Sequence, residues 1–102
     1  MSTLKVLAID IGGTAIKMCL VDAQGKISLF QEIDSEAKKG GKHLLENLAH
    51  VVSEKYTDFD AIGISTAGQV DSDRGVIVYA SENIPGYTGA KVQAIFEERF
   101  QV

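Results

Sequence analysis

The sequence predicts an α/β domain in which three antiparallel strands form a meander and a fourth strand joins them in parallel. Three observations carry this prediction. Two apolar runs, Leu4 to Ile9 and Met18 to Val21, flank the pair Gly12-Gly13, which reads as strand, turn, strand. Apolar residues then recur at helical spacing from Lys42 to about Tyr56. A short apolar run from Asp60 to Ser65 follows that helix, and a strand reached through a helix lies parallel to the first by a right-handed crossover.

The elements follow in order. Leu4–Asp10 and Thr14–Val21 are the first two strands, the second placing Ile16, Met18 and Leu20 on one face and Ala15, Lys17, Cys19 and Val21 on the other. Asp22-Ala23-Gln24-Gly25 is a turn, and Lys26–Ile33 is a third strand with Ile27, Leu29 and Gln31 alternating against Ser28 and Phe30. Asp34 to Gly41 is polar and ends in Gly40-Gly41, which marks a surface connection. In the helix from Lys42 to Tyr56, Leu44, Leu45, Leu48, Val51, Val52 and Tyr56 bury one face. Val76–Tyr79 is a further short strand, and Gly89–Phe100 closes the chain as a helix with Val92, Ile95, Phe96 and Phe100 on one face.

Composition excludes several classes. At 102 residues and 45% hydrophobic content, the chain is one small domain or part of one, with a modest core. Ten basic residues face fourteen acidic ones, for a net charge of −4, and no basic cluster stands out beyond Lys38, Lys39 and Lys42, which argues against nucleic-acid binding. Met1-Ser2-Thr3 lead straight into a strand without a signal peptide, and no apolar run approaches the ~20 residues of a membrane span, so a cytoplasmic protein is expected. The single cysteine, Cys19, sits in an apolar row and reads as a buried, inert thiol.

The chemistry concentrates in Asp10-Ile11-Gly12-Gly13-Thr14-Ala15-Ile16-Lys17. A carboxylate at a strand end, two residues without side chains, a hydroxyl and a lysine are what a phosphate-and-magnesium site needs. Backbone amides around Gly12 and Gly13 can form an anion nest, Thr14 can donate a hydrogen bond, and Asp10 can hold a hydrated metal. The spacing fits neither a P-loop nor a dinucleotide fingerprint. The alternative is a tight hairpin in which Asp10 makes a local turn and Lys17, a lone charge in its row, reaches out to water.

A second stretch runs from Ala61 through Ser65, Thr66 and Gly68 to Asp71, and continues to Asn83-Ile84-Pro85-Gly86-Tyr87. It places a glycine turn at a carboxyl end of the sheet, where α/β proteins bind ligands, and an asparagine amide in a loop able to reach a sugar hydroxyl. The structural alternative makes Gly68 and Gly75 turn glycines and Asn83 a cap. Asp71 and Asp73 fail calcium-loop spacing and mark a turn. His43 and His50 lie two helical turns apart, too far for paired metal ligands.

Taken together, the Asp10–Lys17 motif, the segment from Ile62 through Gly68 to Asp71, and Asn83-Ile84-Pro85-Gly86-Tyr87 resemble the amino-terminal lobe of the ROK family of sugar kinases and repressors, over essentially the whole chain. The resemblance implies a ribonuclease-H-like (actin-like ATPase) lobe with an antiparallel 3-2-1 meander, a parallel fourth strand and helices packed on the sheet. It implies that Asp10, Gly12, Gly13, Thr14 and Lys17 approach the phosphates of ATP and Mg2+, with Asp10 toward the metal. Gly68 and Asn83 fall where the family builds its sugar pocket, for a hexose or hexoside phosphorylated on its 6-OH. A proline-glycine common near Thr66-Ala67 in the family is absent here, and the Asn-Ile-Pro-Gly-Tyr loop is most similar to the β-glucoside kinase branch.

The family's catalytic base is the aspartate of an Asn-Asp pair, and this sequence has no such pair. The resemblance therefore implies that residues 1–102 are one lobe of an ATP-dependent sugar kinase, with no catalytic base of its own, inactive alone because phosphoryl transfer rests on positioning and charge stabilisation from both sides. The second phosphate motif, the adenosine pocket and the family's zinc site belong to the other lobe. A repressor would carry a helix-turn-helix ahead of the first strand, where only three residues stand. A non-catalytic ribonuclease-H-like interaction module is the remaining alternative. The Ala61–Ser65 strand, left at a sheet edge, is expected to drive homo-oligomerisation.

Overall fold

The computed structural model describes residues 4–80 and 83–102; the reading of Met1-Ser2-Thr3 lies outside them. Strands β1 (Lys5–Ile11), β2 (Ala15–Asp22) and β3 (Ile27–Asp34) form the antiparallel meander. Helix α1 (Gly41–Lys55) crosses over to β4 (Ala61–Thr66), which pairs in parallel with β1 and gives the sheet order β3-β2-β1-β4. A separate ribbon, β5 (Gln69–Asp71) with β6 (Val76–Tyr79), precedes helix α2 (Val92–Phe100). This is the mixed α/β architecture that the order of apolar runs predicts.

The period-two pattern decides which sheet face is buried. Leu7, Ile9 and Ile11 of β1 and Ile16, Met18 and Leu20 of β2 share one inner face and join Leu44, Leu45, Leu48, Val52 and Tyr56 of α1 in the core. Each such side chain contributes about 1.5–3 kcal/mol by leaving water, before chain entropy is counted. The Tyr56 hydroxyl donates to the Leu29 carbonyl at 2.6 Å, with the Met18 carbonyl at 3.3 Å, tying the helix end to two strands. Burial pushes its phenol above the ordinary tyrosine range, and the Cys19 thiol adds to the effect.

Several boundaries differ from expectation, each for a local reason. The alternation in β3 breaks at a bulge: Met18 pairs with Gln31 but Leu20 with Ser28, so Leu29 and Phe30 together oppose Cys19, and Leu29 takes φ 52°. Both therefore stand exposed on an edge strand. The polar segment after β3 is not simply a surface connection, because Ser35 and Ala37 are buried and Ala37–Lys39 forms a 3-10 turn. Helix α2 begins at Val92 rather than Gly89, because Gly89 (φ +87°) lies in a turn closed by Ala90 N donating to Tyr87 O, and the turn is bonded to β6, with Gly89 N donating to Ile77 O and Ile77 N to Ala90 O. Its buried stripe is Val92 and Phe96, with Phe100 half-buried against Phe96 and Phe59, whereas Ile95 faces solvent. Strand β5 was not expected; three residues are too few to show a period. Cys19 is half-buried on the outer sheet face rather than enclosed.

Candidate phosphate and sugar site

The turn between β1 and β2 is built by backbone bonds that leave little choice of residue at its first corner. Gly12 N donates to Ala15 O at 3.0 Å, and a Cβ on Gly12 would lie 2.9 Å from that same oxygen, so a side chain there forces the turn open. At Gly13 an added Cβ would meet nothing within 4 Å, so the backbone there is open to an approaching group. Neither Gly13 N nor Thr14 N takes part in the bonds that close the turn, and both residues are exposed. The base of the turn is fixed to β4 by Ala67 N donating to Ile11 O at 2.7 Å.

On the outer face of the sheet, register aligns one row across all four strands. Glu32 of β3 pairs with Lys17 of β2, Lys17 with Asp10 of β1, and Asp10 with Ser65 of β4. Asp10 and Lys17 are exposed, and no salt bridge among the described residues joins them. Lys17 is thus tolerated because its face is open and it stands between two carboxylate-bearing strands, which the alternation in β2 alone does not reveal. Asp10, Lys17 and Ser65 line a shallow trough together with Cys19 and Gly63.

A second groove, around the corner of the turn, brings Gly13 and Thr14 together with Asn83, Glu36 and Lys39. Glu36, at φ 49°, accepts from Lys39 Nζ at 2.9 Å and faces His43 Nε2 at 3.2 Å. The hydrogen bond from Lys39, and then that from His43, holds its carboxyl below the usual glutamate range. His50 pairs with Glu54 one turn along the helix, and among the described residues no group of three His, Cys, Asp or Glu is placed to hold a metal by itself.

The segment after Asn83 is anchored by burial and hydrogen bonds. Ile84 and Tyr87 are buried, and the Tyr87 hydroxyl meets Thr66 Oγ1 at 2.7 Å, at the end of β4. Burial raises the Tyr87 phenol above its ordinary range, partly opposed by the Thr66 bond. Gly41 N, at the start of α1, donates to Pro85 O at 2.8 Å. Gly68 stands apart from this groove: it occupies the β4–β5 turn at φ +97°, where a Cβ would sit 2.7 Å from Tyr79 O, a structural demand for glycine. Asp71 likewise serves its turn, its carboxylate accepting from the amides of Asp73 and Arg74.

The structure therefore brings Gly13, Thr14 and Asn83 to one groove, and Asp10 and Lys17 to a separate trough on the outer sheet face, while Gly68 lines neither. Sequence reasoning missed Ser35, Thr66 with Tyr87, and Pro85 as supports. Tyr87 had a signal, since it closes the Asn83 loop motif, but Ser35 had none within a polar segment.

Comparison with known proteins shows the family and the fold of the chain. The chain is 42% identical over 96 residues to an uncharacterized protein of Clostridium perfringens, covering 92% of this chain and 32% of that protein. It is 35% identical over 74 residues to a beta-glucoside kinase of Listeria monocytogenes, covering 72% of this chain and 24% of the kinase. The fold superimposes on the crystal structure of a ROK hexokinase from Thermus thermophilus with a TM-score of 0.81 at 30% identity, over 96% of this chain and 33% of the hexokinase. The chain thus spans a third or less of the length of the curated relatives it matches. The profile of the ROK family matches residues 6–102, and the chain belongs to the ROK family.

Proposed function

We propose that this chain is the amino-terminal lobe of an ATP-dependent sugar kinase that phosphorylates a hexose or β-glucoside hydroxyl, the 6-OH, in the cytoplasm. The observation that carries the proposal is the corner at Gly13-Thr14, whose amides are left out of the turn and whose groove is shared with Asn83. The family relationship and the relatives' sugar-kinase names support the same reading.

The residues present fit a magnesium nucleotide. A nucleotide-borne magnesium keeps most of its ligands as water and phosphate oxygen and needs only one or two carboxylates, which matches a lone exposed Asp10. When bound, the magnesium nucleotide supplies the phosphoryl group to be transferred. In this reading the Gly13 and Thr14 amides bind phosphate oxygens, the close turn at Gly12 sets their position, Lys17 adds positive charge beside Asp10, and Asn83, with the turn at Gly68, orients the sugar. Gly68 itself lines neither groove, so its part in this reading is only to shape the turn after β4, where the Tyr79 carbonyl demands a glycine. The catalytic base and the opposing phosphate contacts come from the second lobe.

The test pairs this lobe with a carboxyl-terminal ROK lobe and measures sugar-dependent ATP consumption. Asp10→Ala is expected to lower kcat by at least ~100-fold, the scale of losing a metal or phosphoryl clamp. Wild-type turnover in that variant refutes the phosphate role, and turnover by the 102-residue chain alone would place the base within it.

A further inference from the structure

Ser35 is the one buried polar residue among the described core positions, at 1% exposure, and it is bonded to both ends of the β1–β2 turn. Its Oγ donates to Gly12 O at 2.6 Å and its N–H donates to Thr14 O at 2.9 Å. We infer that Ser35 is the positioning residue of this loop, holding the Gly12–Gly13 peptide so that the Gly13 amide faces an anionic, phosphate-bearing ligand.

The geometry follows from the planarity of the trans peptide. The carbonyl of residue 12 and the N–H of residue 13 belong to one peptide unit and point in opposite directions. Because Gly12 O is drawn inward to a buried hydroxyl, Gly13 N–H is turned outward, onto the exposed side. Glycine at both positions makes this peptide easy to flip, and a flip would present a carbonyl oxygen to a phosphate and repel it. The second bond, from Ser35 N–H to Thr14 O, fixes the other end of the turn, so one residue on the β3 side sets the shape of a loop more than twenty positions earlier. Ser35 touches no ligand in this scheme.

The inference rests on the phosphate-loop reading, and the experiment separates the two. The 15N-labelled chain is titrated with magnesium pyrophosphate while the backbone amides are followed, in wild type, Ser35→Ala, Ser35→Thr and Ser53→Ala. Ser53 provides the control, since its hydroxyl makes a comparable bond to Ala49 O on α1, away from the loop. Gly13 and Thr14 amides are expected to shift in wild type, Ser35→Thr and Ser53→Ala. Ser35→Ala should need at least ~5-fold more pyrophosphate, the loss expected from one hydrogen bond. Equal responses in wild type and Ser35→Ala overturn the positioning role. A wild-type chain whose Gly13 and Thr14 amides ignore pyrophosphate, while Ser35→Ala still speeds hydrogen exchange of the Gly12 N–H that closes the turn on Ala15 O, overturns the phosphate reading and keeps the tether. Should Ser35→Ala not fold, wild-type exchange decides: a protected Ser35 N–H beside a fast Gly13 N–H supports the proposal, and the reverse order refutes it.

Discussion

Replacing Gly41 by alanine tests how the start of α1 and the Asn83 loop are joined. A Cβ built on Gly41 lies 2.8 Å from Tyr87 Cα, 2.8 Å from Tyr87 Cδ1 and 3.1 Å from Tyr87 Cβ. Rotating the tyrosine ring relieves only one of these contacts, because Cα belongs to the backbone. Reaching an ordinary contact of 3.4 Å requires the helix and the loop to separate by ~0.6 Å, which stretches the 2.8 Å bond from Gly41 N to Pro85 O. Overpacking of this kind costs ~1–3 kcal/mol. Alanine's better helix propensity returns less than ~1 kcal/mol in a first turn, so a net loss of about 1–2 kcal/mol is expected. With a urea m-value of about 1 kcal/mol/M for a chain this small, the midpoint should fall by roughly 1–2 M. Urea unfolding followed by circular dichroism measures it, with Lys42→Ala, an exposed neighbour in the same turn, as control. A Gly41→Ala midpoint equal to or above wild type would refute the argument that this glycine is kept for the approach of Tyr87.

Three further outcomes follow. Tyr87 has its phenol raised by burial, so its contribution to stability is fully present below the ordinary tyrosine pKa and is lost as pH rises through the higher folded value; Tyr87→Phe should flatten this alkaline loss in denaturation midpoints taken from neutral pH upward, and an unchanged slope would contradict it. The isolated chain should bind glucose or a β-glucoside only very weakly, because a single wall carrying Asn83 leaves most sugar hydroxyls to water; micromolar binding by calorimetry would count against a pocket shared between two lobes. Strand β4 is an edge of the sheet beside a groove of about 340 Å³ lined by Ile62, Ile64, Ile77, Val92 and Phe96, so the 102-residue chain should self-associate through it at tens of micromolar; a monomer in sedimentation with β4 amides protected from exchange would show that edge to be covered.

What the sequence determined by itself was the four strands of the main sheet, the β6 strand and the two helices, together with the buried faces of β2 and α1. Alternation in β2 and helical spacing in α1 are local properties, and hydrophobic burial acts on them wherever the chain folds, so Ile16, Met18, Leu20, Leu44, Leu48 and Val52 all reached the core as their periods require. The Asp10–Lys17 motif was legible for a similar reason, since a strand-glycine-strand turn places its residues by covalent geometry alone. Tertiary structure decided what depends on distant partners. The bulge at Leu29 answers to pairing with β2 and to the Tyr56 hydroxyl, and the late start of α2 answers to Gly89 and Ala90 bonding to β6. Ser35 is buried because two carbonyls of the β1–β2 turn need donors, and Gly68 is glycine because the Tyr79 carbonyl lies where its side chain would be. Neither requirement is written in the residues next to them. It arises because backbone polar groups enclosed by the fold must find hydrogen-bond partners, and those partners are chosen by position in space rather than along the chain.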